Sequence, residues 1–328
     1  TYTPIVKAAS PYATDVTTTG VQGETQTGTP KFIGGSVDID GVKKTVPINE
    51  DIPAKFEDGT TEKVIKGEGT YKVAENGTVT FIPEPGFTGV GTQLSVKRVD
   101  KNGEPAIGKY TAVVVGVTPT AKPAESTDVQ GATQKQPITF NGGVAQIEDP
   151  AGSGVQEKSV PINPDSVTLI GEDGQPTDGE VVVKDPKDPS KVIGKYTLVK
   201  EPGKDPVAVY TPTDKTYVGS VPPVTIQAAD KNGTPVKTTY TPTIKPVKPT
   251  ATPAKTTDIQ GKEQTGLPEF KGGKVTVNGE EKVVPIDETK APKLIDPKTG
   301  NPVDSVTVDG EGTYTIDKDG KVTFTPEP

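Results

Sequence analysis

Hydrophobic and polar positions alternate along this chain in short runs, and two runs show the pattern most clearly. Residues 69–83 read Gly69-Thr70-Tyr71-Lys72-Val73-Ala74, then a polar knot Glu75-Asn76-Gly77, then Thr78-Val79-Thr80-Phe81-Ile82-Pro83. Residues 312–326 repeat it as Gly312-Thr313-Tyr314-Thr315-Ile316, the knot Asp317-Lys318-Asp319-Gly320, and Lys321-Val322-Thr323-Phe324-Thr325-Pro326. A period of two on both sides of a short polar stretch ending in Gly predicts a hairpin. A three-residue loop at Glu75-Asn76-Gly77 sets Val73 against Val79 and Tyr71 against Phe81. The loop Lys318-Asp319-Gly320 likewise sets Ile316 against Val322 and Tyr314 against Phe324. Gly then ends the loop, where a type I turn followed by a left-handed residue needs it. A two-residue loop would set Val73 against Thr80 and split the apolar face. The aromatic pairs are thereby predicted to be core, not exposed platforms for a sugar.

The same reading predicts further short strands at residues 37–39, 45–48, 64–65, 94–99 and 110–117. Seven or so short strands in about a hundred residues read as a β-sandwich. Pro47, Pro53, Pro83 and Pro85 fall at strand starts, ends or edges, where a missing N–H is tolerated. No window shows a helical period.

Internal repetition sets the larger organisation. Thr127-Asp128-Val129-Gln130-Gly131 returns as Thr257-Asp258-Ile259-Gln260-Gly261 and, more loosely, as Thr19-Gly20-Val21-Gln22-Gly23. Val46-Pro47-Ile48-Asn49 is answered by Val160-Pro161-Ile162-Asn163 and Val284-Pro285-Ile286-Asp287, and Asp100-Lys101-Asn102-Gly103 by Asp230-Lys231-Asn232-Gly233. The period exceeds a hundred residues, so the unit is a domain and not a solenoid turn.

The expected fold is all-β: tandem β-sandwich domains of Ig-like or Greek-key type in an elongated array. Residues 1–15 are read as the tail strand of a preceding repeat plus linker, because Thr1 to Pro4 matches Thr239 to Pro242. Residues 16–117 are repeat 1, 118–126 a Pro/Thr linker, 127–244 repeat 2, 245–256 a Pro/Lys linker and 257–328 a C-terminally incomplete repeat 3. Proline-rich linkers are expected to be extended and stiff. Repeat 2 carries extra material around residues 149–154 and 185–190. With Tyr210 for Phe and Ala208 for Val, its core is expected to be looser. A chain without initiator Met that opens inside a strand reads as a piece of a longer polypeptide.

Composition narrows the function. Hydrophobic residues make up 30% and aromatics 5% of the 328 residues, with no Trp, Met, Cys or His. Each core is therefore small, and its Val, Ile and Thr favour strands. A net charge of -8 argues against nucleic acid as a partner, which needs basic patches. Without Cys there are no disulfides or thiolate metal sites. No run is long enough to span a membrane and no signal peptide is present.

Candidate chemistry is sparse, and no catalytic, cofactor-binding or metal residue is assigned. Asp38-Ile39-Asp40-Gly41, Asp230-Lys231-Asn232-Gly233 and Asp317-Lys318-Asp319-Gly320 look superficially like calcium loops. They lack the twelve-residue ligand spacing with a terminal Glu, and turn chemistry explains their Asp, Asn and Gly. Asn76-Gly77-Thr78 and Asn232-Gly233-Thr234 fit the glycosylation triplet, but read better as turns. Tyr12 in a linker and Tyr217 in a loop are the rings placed for exposure. Lys122, Lys245, Lys248 and Lys255 read as solubilising. No Lys–Asn or Lys–Asp isopeptide triad stands out. Without His, Cys or a Gly-rich phosphate loop, an enzyme is not expected.

Together the Pro-rich lead-in, Thr-Asp-Ile-Gln-Gly, Val-Pro-Ile-Asp, Gly-Thr-Tyr…Val-Thr-Phe-Thr-Pro and Asp-Lys-Asn-Gly-Thr-Pro resemble the CshA-type fibril repeat. That family builds fibrillar surface adhesins of Gram-positive cocci such as streptococci. Repeat 1 departs from it at Thr19-Gly20, where the others have Thr-Asp. The resemblance implies an extracellular, cell-wall-anchored stalk that projects an adhesive tip, with host matrix or other bacteria bound by regions outside these residues. Its partners would be neighbouring repeats and other copies in fibrils, with no nucleic acid and no membrane insertion. Two alternatives stay open: repeats that themselves bind a host glycoprotein or glycan, and a fibre assembled by strand complementation between chains.

Overall fold

The computed structural model describes residues 1–148, 152 and 154–327. Every regular element among them is a β-strand, and no helix among them is long and apolar enough to cross a membrane.

Repeat 1 closes as two facing sheets. In one, Glu62–Ile65, Gly69–Val73, Val79–Pro83 and Gln26–Gly28 are antiparallel neighbours in that order. In the other, Lys55–Phe56, Leu94–Val99 and Pro105–Val115 are antiparallel, and Val16–Val21 runs parallel along the free side of Pro105–Val115. Buried and exposed positions alternate along Leu94–Val99 and Pro105–Val115, as strands with one wet face require. Between the sheets lie Phe56, Tyr71, Val73, Val79, Phe81, Leu94, Val96, Tyr110, Ala112 and Val114.

The hairpin register is the one that its alternation predicts. Val73 pairs with Val79 and Tyr71 with Phe81; Ile316 pairs with Val322 and Tyr314 with Phe324. Gly77 and Gly320 take φ of 93° and 85°, the left-handed position that closes a three-residue loop. The aromatic pairs stack at centroid distances of 4.3 and 4.5 Å.

Repeat 2 has the same plan. Ala124–Val129 runs parallel to Pro235–Lys245, followed by Val224–Asp230, Ile162–Ile170 and Pro176–Thr177. Gln134–Pro137, Val207–Pro212, Asp188–Val199 and Val181–Asp185 form the facing sheet. Tyr210 and Ala208 are fully buried opposite Tyr196 and Leu198. Where repeat 1 has the two-residue Lys55–Phe56, repeat 2 has the nine-residue Ile162–Ile170, whose Val167 and Leu169 take the places in the core that Ala54 and Phe56 hold in repeat 1. The extra residues at 185–190 form the bend of the ribbon in which Asp185 pairs with Asp188. Of the other insertion, Asp149, Pro150, Ala151 and Ser153 lie outside the described residues.

The linkers are the main correction. Tyr12–Thr14 pairs with Lys31–Ile33, Thr120–Ala121 with Phe140–Asn141, and Thr250–Thr252 with Glu269–Lys271. Ala124–Val129 is an edge strand of repeat 2. The prolines themselves, Pro11, Pro119, Pro123, Pro249 and Pro253, stand next to these strands and not in them, so that their missing N–H interrupts no ladder. Thr1 to Pro4, expected to be a tail strand, forms none, and Tyr2 is 90% exposed.

Repeat 3 has one four-stranded sheet: Gln264–Gly266, Val322–Pro326, Gly312–Ile316 and Ser305–Val308. Nothing among its described residues faces that sheet as the second layer does in repeats 1 and 2. Tyr314 and Phe324 are only half-buried, and Val277 is its one buried hydrophobic among them.

The chain exposes 19907 Å². One globule of its 34.2 kDa would expose about 12,900 Å², and three separate globules of a third that mass about 17,300 Å². The surface is that of serial units and not of one merged body.

Candidate functional site: the joint between repeats

Polar groups that could carry chemistry serve mostly as locks. Asp100 accepts the amides of Asn102 and Glu104, both at 2.8 Å, and Asp230 accepts those of Asn232 and Thr234 at 2.9 and 2.8 Å. The next residue of each turn donates its amide to the Val-Pro phrase, Lys101 to Pro47 O and Lys231 to Pro161 O, both at 3.0 Å. Two recurring phrases far apart in sequence are thus one structural unit. Asp38 and Asp317 cap their own turns in the same way. Among the described residues, no three acidic side chains gather as metal ligands would. Asn76 accepts the Thr78 amide at 3.0 Å.

Buried tyrosines fasten the sandwiches. Tyr71 donates to Glu68, which also accepts from the amide and hydroxyl of Thr92. Burial first, and that carboxylate second, push the Tyr71 phenol far above its ordinary value. Thr18 bridges Tyr110 and Gln26 in repeat 1 as Ser126 bridges Tyr240 and Gln134 in repeat 2. Each bridge stands where the parallel strand meets the closing strand. Tyr217, expected to be free in a loop, packs partly against the repeat 2 core. Tyr12 is 56% exposed.

The site that sequence reasoning missed lies between repeats 1 and 2. Val21 and Val117 from repeat 1 meet Ile147 and Val160 from the ribbon Gly143–Glu148/Val155–Val160, and all four are buried. Each aliphatic buried this way contributes about 1.5–3 kcal/mol. Lys158 pairs with Glu24 at the rim, each about a third exposed, and such a pair adds only about 0–1 kcal/mol. Apolar contact therefore supplies the strength and the polar groups the alignment. Asn232 donates from Nδ2 to Gln22 O at 2.7 Å. Gly23 has φ of 79°, and a Cβ there would fall 2.1 Å from Asn232 Oδ1.

A second joint links repeats 2 and 3. Lys245 donates from Nζ to Thr276 O at 3.1 Å, and Val247 N donates to Gln130 Oε1 at 2.8 Å. The only signal in the sequence was the recurrence of Val-Gln-Gly and Asp-Lys-Asn-Gly, which reads as turn chemistry unless the two are placed face to face.

No curated protein matches this chain. Similar solved structures include the N-terminal eight Ig domains of Down Syndrome Cell Adhesion Molecule isoform 1.30.30, at 14% identity and TM-score 0.32, covering 97% of this chain and 33% of that one. This chain therefore spans about a third of that molecule's length. An I-band fragment of titin has 12% identity and TM-score 0.26, covering 98% and 90%. Human CDH23 EC21-23 has 12% identity and TM-score 0.27, covering 97% and 90%. No argument rests on these likenesses. The model of the surface adhesin CshA repetitive domain matches residues 8–114, 116–244 and 246–328, nearly the whole chain. With three such matches over serial sandwiches, the chain belongs to the CshA repeat family of cell-surface adhesins.

Proposed function

We propose that these repeats are the stalk of a cell-wall-anchored adhesin of a Gram-positive bacterium, giving distance from the cell and performing no reaction. The observation that carries this reading is the accessible surface of serial units, 19907 Å², together with joints that are packed instead of slack. A unit of about 110 residues is a bead roughly 35 Å across. Three in line reach about 100 Å, so adding repeats lengthens the stalk without new chemistry. The adhesive tip and its host or bacterial receptor belong to regions beyond these repeats. The buried carboxylate Glu68 and the buried phenols hold strands together by hydrogen bonds.

Small-angle scattering of the full chain tests it. A rod of these units has a radius of gyration near 30 Å, whereas a compact chain of this length has about 20 Å. A value near 20 Å would refute the stalk. Concentration-dependent polymers would favour the self-assembling fibre instead, and saturable binding of a glycan or matrix protein would favour adhesive repeats.

A further inference from the structure

In each repeat one sheet ends on a strand that has no neighbour on its outer side among the described residues: Glu62–Ile65, Val181–Asp185 and Ser305–Val308. Lys63, Val181 and Val306 lie opposite Tyr71, Tyr196 and Tyr314, which aligns the three edges residue by residue. Val73 N donates to Thr61 O at 3.0 Å, and Ile316 N to Asp304 O at 3.1 Å. Bonds in an antiparallel ladder fall on alternate residues. Lys63 and Ile65 therefore bond inward, while the amides and carbonyls of Glu62 and Val64 point away from the sheet.

The side chains at these outward positions form a pattern that two repeats share and the third lacks. Repeat 1 presents Glu62, Val64 and Lys66, and repeat 2 presents Glu180, Val182 and Lys184, where repeat 3 has Ser305, Thr307 and Asp309. All are exposed, Val64 by 71% and Val182 by 45%. An open edge with an uncovered valine is a template for a further strand, and a charge at its centre would discourage one. Here the charges flank the valine instead, one of each sign. The ion pairs they make within the chain, Glu62 with Lys72, Glu180 with Lys195 and Lys184 with Glu172, lie at the surface and cost little to exchange.

We propose that the edges Glu62–Ile65 and Val181–Asp185 are pairing surfaces for the same edges of a second copy of this chain, joined antiparallel. With Val64 opposite Val64, each Glu62 falls opposite a Lys66 across the two-fold axis. The same pairing sets Val64 opposite Val182, again with each Glu opposite a Lys. Parallel pairing in register would set Glu on Glu and Lys on Lys, which is destabilising. Complete repeats associate side by side in this way, so no strand is exchanged and the joints between serial repeats are untouched. A Cβ on Gly20 would meet Gln26, and one on Gly28 would meet Thr18, so Gln26–Gly28 runs back from the joint. Three antiparallel steps then turn Glu62–Ile65 towards the joint again, and paired copies lie antiparallel. Given the stalk proposed above, on which this step alone rests, stalks rooted by the same end meet in that way only from facing cells. Each contact is weak by itself and gains strength where several form together.

Two charge-reversal variants of the full chain test it: Glu62→Lys with Glu180→Lys, and Lys66→Glu with Lys184→Glu. In sedimentation, the unaltered chain should associate as its concentration rises. Each variant should stay monomeric by itself, and their equimolar mixture should associate again. In the unaltered chain, amide exchange at Glu62, Val64 and Val182 should slow severalfold with concentration, while Ser305 and Thr307 do not change. Exchange at Glu62 and Val64 that is indifferent to concentration overturns the proposal. So does association that either variant keeps by itself, or a mixture that fails to associate. Beads that carry the chain by its C-terminus test the facing-cell step: beads of the two variants should clump with each other and not among themselves. Pairing in solution without clumping refutes that step and leaves the edge pairing standing. The radius of gyration of the monomer is a separate test of the stalk.

Discussion

Tyr71, Tyr110, Tyr196, Tyr210 and Tyr240 are the largest fully buried side chains in the two closed sandwiches, and each hydroxyl has a partner. Tyr196 donates to Pro222 O at 2.7 Å and Tyr210 to Ile193 O at 3.1 Å, while Tyr71, Tyr110 and Tyr240 use Glu68, Thr18 and Ser126. A phenol suits a thin core because it brings a wide apolar ring and one bond that fixes its orientation. Burial disfavours the charged form and raises the pKa of all five phenols, that of Tyr210 to about 12. Below about pH 10, the unfolded value of tyrosine, both states keep the proton and stability is fully present. Above it the unfolded chain loses protons that the sandwiches retain, so stability falls as pH rises towards the folded values. Urea midpoints of repeats 1 and 2, followed by their amide signals between pH 8 and 11, should stay level and then drop. A flat profile to pH 11 would contradict the burial of these rings.

At the scale of the element, glycine separates backbone need from packing need. Gly77 and Gly103 have similar φ, 93° and 87°. A Cβ at Gly103 meets nothing within 4 Å, whereas one at Gly77 would fall 2.7 Å from the Phe32 ring. Gly103→Ala should cost repeat 1 about 1–2 kcal/mol from the left-handed backbone alone. Gly77→Ala should cost more, because the ring that covers the hairpin must move as well. Comparing urea midpoints of the two variants checks the order, and equal losses would mean that Phe32 does not seat on the turn. The recurring Gln-Gly phrase gives the complementary lesson. Val21 and Val129 are 5% and 7% exposed in parallel edge strands, while Ile259, in the same phrase, is 70% exposed and forms no strand. The phrase becomes a strand only where a closing strand lies beside it.

Within these 328 residues, that dependence predicts uneven stability. Repeats 1 and 2 each enclose a core between two sheets, whereas the sheet of repeat 3 has nothing across from Tyr314 and Phe324 among the described residues. Hydrogen exchange on the full chain should find Gly312–Ile316 and Val322–Pro326 opening at much lower free energy than Gly69–Val73 and Val79–Pro83, despite matching sequence and register. Equal protection would show that the single sheet is self-sufficient. Exchange at the first joint should follow the two closed sandwiches, since Val21, Val117, Ile147 and Val160 are shared between them.

Local pattern was enough for the hairpin registers, the glycine of each loop, the all-β class and the series of repeats. Each follows from alternation, a turn geometry or a repeated phrase, and needs no distant partner. Tertiary structure alone decided that short paired strands flank the linker prolines, that Val167 and Leu169 fill in the second core the places of Ala54 and Phe56 in the first, and that Gln22, Glu24, Lys158 and Asn232 meet. Asn232 lies 210 positions from Gln22, and no local period encodes a contact that exists only when one folded unit rests on the next.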